Sequence, residues 1–211
     1  IAHLAADTDA DAESTRTRTA LNVEVANIYR ENVGSETKAV AVYQAILEYD
    51  GANLEIIETL GDLYTQLQRW ADLVQVLRKK HDAIPEEDVE ARIAILMEIG
   101  VTLVEKYSKA AEAVLVYEEV LEADPEHLEA LAKLKDIYEN RRDYERLIDV
   151  MLREIGLEED GELRFEQFVD LARMANERVR KMDVLIGLWA QVLEAAPEHA
   201  EAIENLERFY E

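Results

Sequence analysis

Apolar residues recur along the chain at intervals of three and four. Val40, Tyr43, Ile46 and Leu47 form one such group, and Leu131, Leu134, Ile137 and Tyr138 form another. On a helix of about 3.6 residues per turn these spacings gather side chains on one face, whereas a half-buried strand alternates every second residue. The pattern predicts helices at about 17–31, 36–49, 53–67, 70–82, 88–105, 108–123, 127–140, 143–156, 161–178, 182–195 and 198–210. Only 7 Gly and 3 Pro punctuate the chain, so the connections must be short. Ala, Leu, Glu and Val dominate, a composition that favours long helices.

The helices repeat. Val42–Gly51, Val116–Pro125 and Leu188–Pro197 align residue for residue, placing Tyr43, Tyr117 and Trp189 at intervals of 74 and 72. Leu47, Leu121 and Leu193 keep the same intervals, as do Glu48, Glu122 and Glu194. So do Leu60, Leu134 and Leu206, and then Tyr64, Tyr138 and Tyr210. Each long period halves. Ala39, Leu73, Ala113, Leu147 and Leu185 occupy equivalent positions on second helices, spaced 34, 40, 34 and 38. A 34-residue helix–turn–helix period is that of the tetratricopeptide unit.

Leu60-Gly61…Tyr64…Trp70…Pro85 and Ala113…Tyr117…Val120…Pro125 resemble the signature of that family. The resemblance implies an all-α fold: an α-solenoid of stacked antiparallel helix pairs wound into a right-handed superhelix. It would form a single helical-repeat domain over 1–211, with pairs at about 17–51, 52–86, 87–125, 126–160 and 161–197 and partial helices at 1–6 and 198–211. Shifting by 74 maps Gln75–Lys80 onto Ile1–Ala6, so the first six residues read as the tail of an earlier helix in a longer array. The chain also departs from the family pattern. Leu73, Leu147 and Leu185 stand where the family has a small Ala, and Lys80 and Glu154 fill another usually small position. Gln68 and Arg142 replace the turn glycine. Helices are therefore expected to pack less closely than the family norm.

Charge narrows the choice of partner. Asp and Glu number 47 against 23 Lys and Arg, for a formal charge of −24. Nucleic acids and anionic membranes need a basic footprint, and none is visible. No apolar run approaches the roughly 20 residues that span a bilayer, so membrane insertion is not expected. Without cysteine there is no disulfide framework and no thiolate site, which suits a cytoplasmic location.

Catalytic and cofactor patterns are weak. Asp7–Glu13 has carboxylates at the first, third and fifth positions of a calcium loop. Ala12 and Arg18 stand where that loop needs its glycine and its bidentate glutamate. This acidic stretch, with 86–90 and 158–162, is better read as helix N-terminal charge. His3, His81, His127 and His199 are too dispersed for a metal site, and structural or surface roles are expected for them. Scattered glycines provide no phosphate cradle, and Gly61 and Gly100 are expected to admit a neighbouring helix. Ser14, Ser35 and Ser108 have no local base. Met97, Met151, Met174 and Met182 fit core positions, and Trp70 and Tyr107 fit packed helix corners. Neither a cofactor nor catalysis is expected.

In the tetratricopeptide family the first helix of each pair lines a concave groove. Carrying the groove positions over gives Val23, Asn27 and Arg30, then Glu55, Glu58, Asp62 and Gln66. Met97, Val101 and Val104 follow, then Glu129, Asp136, Glu139 and Asn140, and finally Val169, Arg173 and Asn176. The clamp by which one family subset holds acidic C-termini is matched only at Asn27, because Asp62 and Asp136 replace its asparagines. The resemblance therefore implies a non-catalytic scaffold for a protein or peptide segment, with basic residues flanking apolar anchors. The alternative is a structural spacer or self-associating array that positions other domains of a longer protein.

Overall fold

The computed structural model describes the backbone of residues 2–210 and the side chains of residues 11–210. Among these residues the chain is all-α, with eleven α-helices: α1 (Ala2–Glu31), α2 (Glu36–Leu47), α3 (Leu54–Gln66), α4 (Trp70–Ala83), α5 (Val89–Val101), α6 (Ala110–Ala123), α7 (Leu128–Arg141), α8 (Tyr144–Gly156), α9 (Gly161–Arg178), α10 (Met182–Ala195) and α11 (Ala200–Tyr210). A π turn, Thr102–Lys106, prolongs α5 and is closed by the Tyr107 amide donating to the Thr102 carbonyl at 3.0 Å. With that turn counted, every helix from α2 onward ends within two residues of its expected limits.

The first helix differs. The stretches 1–6 and 17–31, expected as separate helices with an acidic link between them, are one thirty-residue helix from Ala2. No Gly or Pro interrupts residues 2–33, so nothing in the backbone forces a break. Asp7–Glu13 is therefore helical and forms no calcium loop. Ile1, and the side chains of His3, Asp7 and Asp9, lie outside the described residues.

The chain divides into two compact units, one up to Val116 and one from Tyr117. In the first, α1 packs on α2, α2 on α3, α3 on α4 and α4 on α5. In the second, α7, α8, α9, α10 and α11 pack in the same sequential fashion. Short turns reverse the chain between neighbours, giving antiparallel helix pairs whose contacts are with the next element along the chain.

The repeat columns form the core. Tyr43, Tyr117 and Trp189 are buried, as are Leu60 with Tyr64 and Leu134 with Tyr138. In the last copy Leu206 is half-buried and Tyr210 is exposed. Met182, expected in the core, is exposed as the first residue of α10. A methyl on Gly61 would meet Leu73 Cδ1 at 3.8 Å, an ordinary contact, so no helix depends on the bare glycine there.

Four first-to-second helix turns need a left-handed residue. Gly34 supplies one at φ 65°, and Gln68, Ser108 and Arg142 adopt φ of 53°, 56° and 55° without glycine's freedom. Their spacings are 34, 40 and 34, the intervals of the second-helix positions. At two of them the next amide reaches back to a core tyrosine carbonyl: Arg69 to Tyr64 at 2.8 Å and Asp143 to Tyr138 at 2.9 Å. The acidic links at 86–90 and 158–162 each supply an N-cap. Asp88 accepts from the Ala91 amide at 3.2 Å, and Asp160 accepts from the Glu162 and Leu163 amides. His127 and His199 do likewise, their Nδ1 atoms accepting from Ala130 and Ala202.

Candidate functional site

On α3 the apolar stripe of Ile56, Ile57, Leu60, Leu63 and Tyr64 is buried. That leaves Glu55, Glu58, Asp62 and Gln66 exposed on the opposite side. Glu58 is tied to Lys80 of α4 at 2.9 Å. On α7 the burial of Ala130, Leu131, Leu134, Ile137 and Tyr138 likewise turns Glu129, Asp136, Glu139 and Asn140 to solvent. Asp62, Asp136 and Glu139 form no ion pair among the described residues.

Other expected groove positions have internal roles. Met97 is 9% exposed and Val169 5%, so both belong to the core, while Val101 and Val104 are half-buried. Asn27 accepts a hydrogen bond from the Tyr43 hydroxyl at 3.2 Å, beside half-buried Val23 and exposed Arg30. Asn176 is held between Trp189 and Asn205. Arg173 is exposed but grips Glu201, its Nη2 donating at 2.7 Å, and Asp170 at 3.0 Å. A helix position given by family register says which way a residue faces only where the neighbouring helices pack as in the family, and here their side chains are larger.

Two concavities of the second unit lie along α8. One, of about 820 Å³, is walled by Leu128 and Lys135 of α7 and Asp170 and Leu171 of α9, with Met151 and Ile155 of α8 beneath. The other, of about 300 Å³, brings Asp136 and Glu139 together with Tyr144, Leu147 and Arg178. Periodicity alone does not reveal these clefts; the bulk at Leu147 and Glu154 was the signal in the sequence.

The sequence profile described as the tetratricopeptide repeat matches residues 130–164, from α7 through α8 to the start of α9. Over those residues the chain carries a tetratricopeptide repeat. No curated protein matches it. Similar solved structures include the Pseudomonas aeruginosa pilF protein, 16% identical over 90% of this chain and 79% of that one, with a TM-score of 0.40. They also include a MamA protein (residue 41 to the end) from Desulfovibrio magneticus RS-1, 18% identical over 90% and 96%, with a TM-score of 0.41. A third is YrrB, described as a TPR protein with an unusual peptide-binding site, 16% identical over 87% and 89%, with a TM-score of 0.42. Likenesses at this level say nothing of function.

The chain's electrostatics come from local pairing. Hydrogen bonds from Arg173 hold the Glu201 carboxyl below its ordinary range, and the same bonds raise the guanidinium. Burial raises the phenols of Tyr64 and Tyr138, equivalent tyrosines 74 residues apart, so both stay protonated at neutral pH. No group of His, Asp and Glu with metal-holding geometry occurs among the described residues. Among the described residues no helix is long and apolar enough to cross a membrane.

Proposed function

We propose that the chain is a non-catalytic cytoplasmic scaffold that binds basic partner segments on the exposed acidic face of α3 in the first unit and on that of α7 in the second. The observation that carries the reading is the match between Asp62 and Asp136. They lie 74 residues apart at one repeat position, both are exposed, and neither has an ion-pair partner in the described structure. Carboxylates that stabilise nothing within the protein are available to lysine or arginine of a partner, and the −24 charge would steer such a partner toward them.

The test is titration of Lys/Arg-bearing and Glu-bearing peptides of equal length against wild type and a D62K/D136K/E139K variant, at low and high salt. Binding of the basic peptides alone, weakened by salt and lost in the variant, is expected. Equal binding to the variant would sink the reading. The spacer or self-association alternative rests on one observation, the exposed stripe of Leu21, Val25 and Ile28 on α1. Sedimentation showing mass that rises with concentration, and falls back in L21E/I28E, would favour it.

A further inference from the structure

The geometry points to the α7–α9 cleft as the seat of a short extended peptide with an apolar residue between two cations, in the order cation–x–apolar–x–cation. This rests on the reading above and assigns it a specific place, floored by a second helix.

Tyr144, Leu147, Met151 and Ile155 fall on one face of α8, at steps of three, four and four residues. α8 packs against both α7 and α9, whereas those two scarcely meet, so part of this face stays uncovered between them. Leu147 and Ile155 are buried, while Tyr144 and Met151 are only half-buried. Met151 and Lys135 border both sections of the cleft, so the two sections meet at the middle of α8. Leu147 and Glu154, which stand where the resemblance implies small residues, line the two sections of this opening. Glu154 is fixed in place by Lys135 of α7 at 2.5 Å.

The rim decides the sign of the occupant. Asp136 and Glu139 stand at the Tyr144 end, and Glu158 and Glu159 at the Ile155 end. None of these four makes an ion pair among the described residues, although Glu158 accepts the Asp160 amide at 3.1 Å. Lys135 is paired with Glu154, while Arg178, its guanidinium 5.8 Å from the Tyr144 ring centre, sets one positive charge against the two carboxylates at the Tyr144 end. An anionic segment or an anionic lipid would be repelled. A purely apolar occupant would strip water from the carboxylates without replacing it. A cation at each end with an apolar group between satisfies both the rim and the floor.

Length sets the spacing. Tyr144 to Ile155 is eleven helical steps, about 16 Å at about 1.5 Å per residue. An extended peptide advances about 3.3 Å per residue, and residues i, i+2 and i+4 point the same way. Cations at i and i+4 are thus about 13 Å apart, with an apolar residue at i+2 above Met151.

The experiment uses the full chain and four blocked seven-residue peptides, each a five-residue core flanked by glycines. The cores are Lys-Ala-Leu-Ala-Lys, its Leu-to-Ala version, its Glu-for-Lys version, and the respaced isomer Lys-Lys-Leu-Ala-Ala. Affinity is read by titration, and the methionine methyl resonances report the site, with buried Met97 as reference. The spaced peptide should bind at least tenfold more tightly than the other three and shift the Met151 methyl but not that of Met97. E158K/E159K should weaken it at least tenfold. E86K/E87K, the same charge change in an exposed link of the other unit, should not. If the respaced isomer binds as well, Met151 does not move, or E158K/E159K binds like wild type, the cleft assignment is overturned. In that case, continued sensitivity to D136K/E139K leaves the acidic-face reading standing. If no basic peptide binds, both readings fall. A Met151 shift that grows with protein concentration alone means that a second copy fills the cleft, and overturns the proposal too.

Discussion

The indole nitrogen of Trp189 donates a hydrogen bond to the side-chain oxygen of Asn176 at 3.1 Å. The indole itself is fully buried in the core of the second unit, so its N–H has no access to water. Asn176 in turn donates to Asn205 at 2.9 Å, and Asn205 donates to the Glu201 carbonyl at 2.8 Å. Three helices, α9, α10 and α11, are linked through this chain of amides. Asn176→Leu removes the acceptor and leaves the indole N–H and the Asn205 oxygen with lost bonds. It should destabilise the second unit by about 1–3 kcal/mol, measured by urea denaturation followed by tryptophan fluorescence.

The left-handed turns carry removable strain. Gln68 and Arg142 are exposed, and a non-glycine residue in that conformation costs roughly 1–2 kcal/mol, of which glycine's extra freedom when unfolded takes back part. Gln68→Gly and Arg142→Gly should each raise stability by about 0.5–1 kcal/mol. A fall in the urea midpoint for either would show that the side chain makes a compensating contact.

Gly61 is the converse case. It lies within α3, where glycine costs a helix about 1 kcal/mol relative to alanine, and the space for a methyl is there at 3.8 Å from Leu73. Gly61→Ala should stabilise by up to about 1 kcal/mol. Destabilisation would mean that α3 and α4 approach more closely in solution.

Much of this was legible in the sequence, and the misses have physical causes. Helix limits followed from apolar spacing, and the repeat columns identified Tyr64 and Tyr138 as core because the same side chain recurs at the same interval. The substitution of the turn glycine by Gln68 and Arg142 was visible too, and the backbone keeps the glycine-like conformation regardless. Of the residues placed in the groove by family register, Glu55, Asp62, Asp136 and Glu139 face solvent, whereas Met97 is buried and Asn27 and Asn176 bond inward to aromatic side chains. Register gives an angle around a helix axis. It does not say whether a neighbour's polar atom lies within reach, which depends on three-dimensional packing.

His127 caps α7 through Nδ1, which accepts from the Ala130 amide at 3.1 Å and must therefore be unprotonated. His127→Ala should cost about 1 kcal/mol, while His127→Asn should restore the cap. Equal losses for both would mean that ring packing matters more than the hydrogen bond.

The Arg173–Glu201 pair gives a pH signature. With its pKa lowered in the folded chain, Glu201 binds its proton less readily there than when unfolded. Its stabilisation is complete above the ordinary value of 4.5 and is lost as pH falls through the depressed one. The pair is exposed, so the effect is small. Arg173→Ala should return the Glu201 titration toward its ordinary range, followed by carboxyl-carbon NMR.

The π turn at Thr102–Lys106 bears on how such a chain changes over generations. A helix that acquires one extra residue must either rotate everything beyond it by about 100° or wind the surplus into a wider turn. With Leu103 buried at 2% exposure inside that turn, rotation would drive an apolar side chain out of the core and a charged one in. The wider turn absorbs the surplus where it arises and leaves the following helix in register. Single-residue insertions are thereby made survivable in an architecture whose natural step of growth is a whole helix pair.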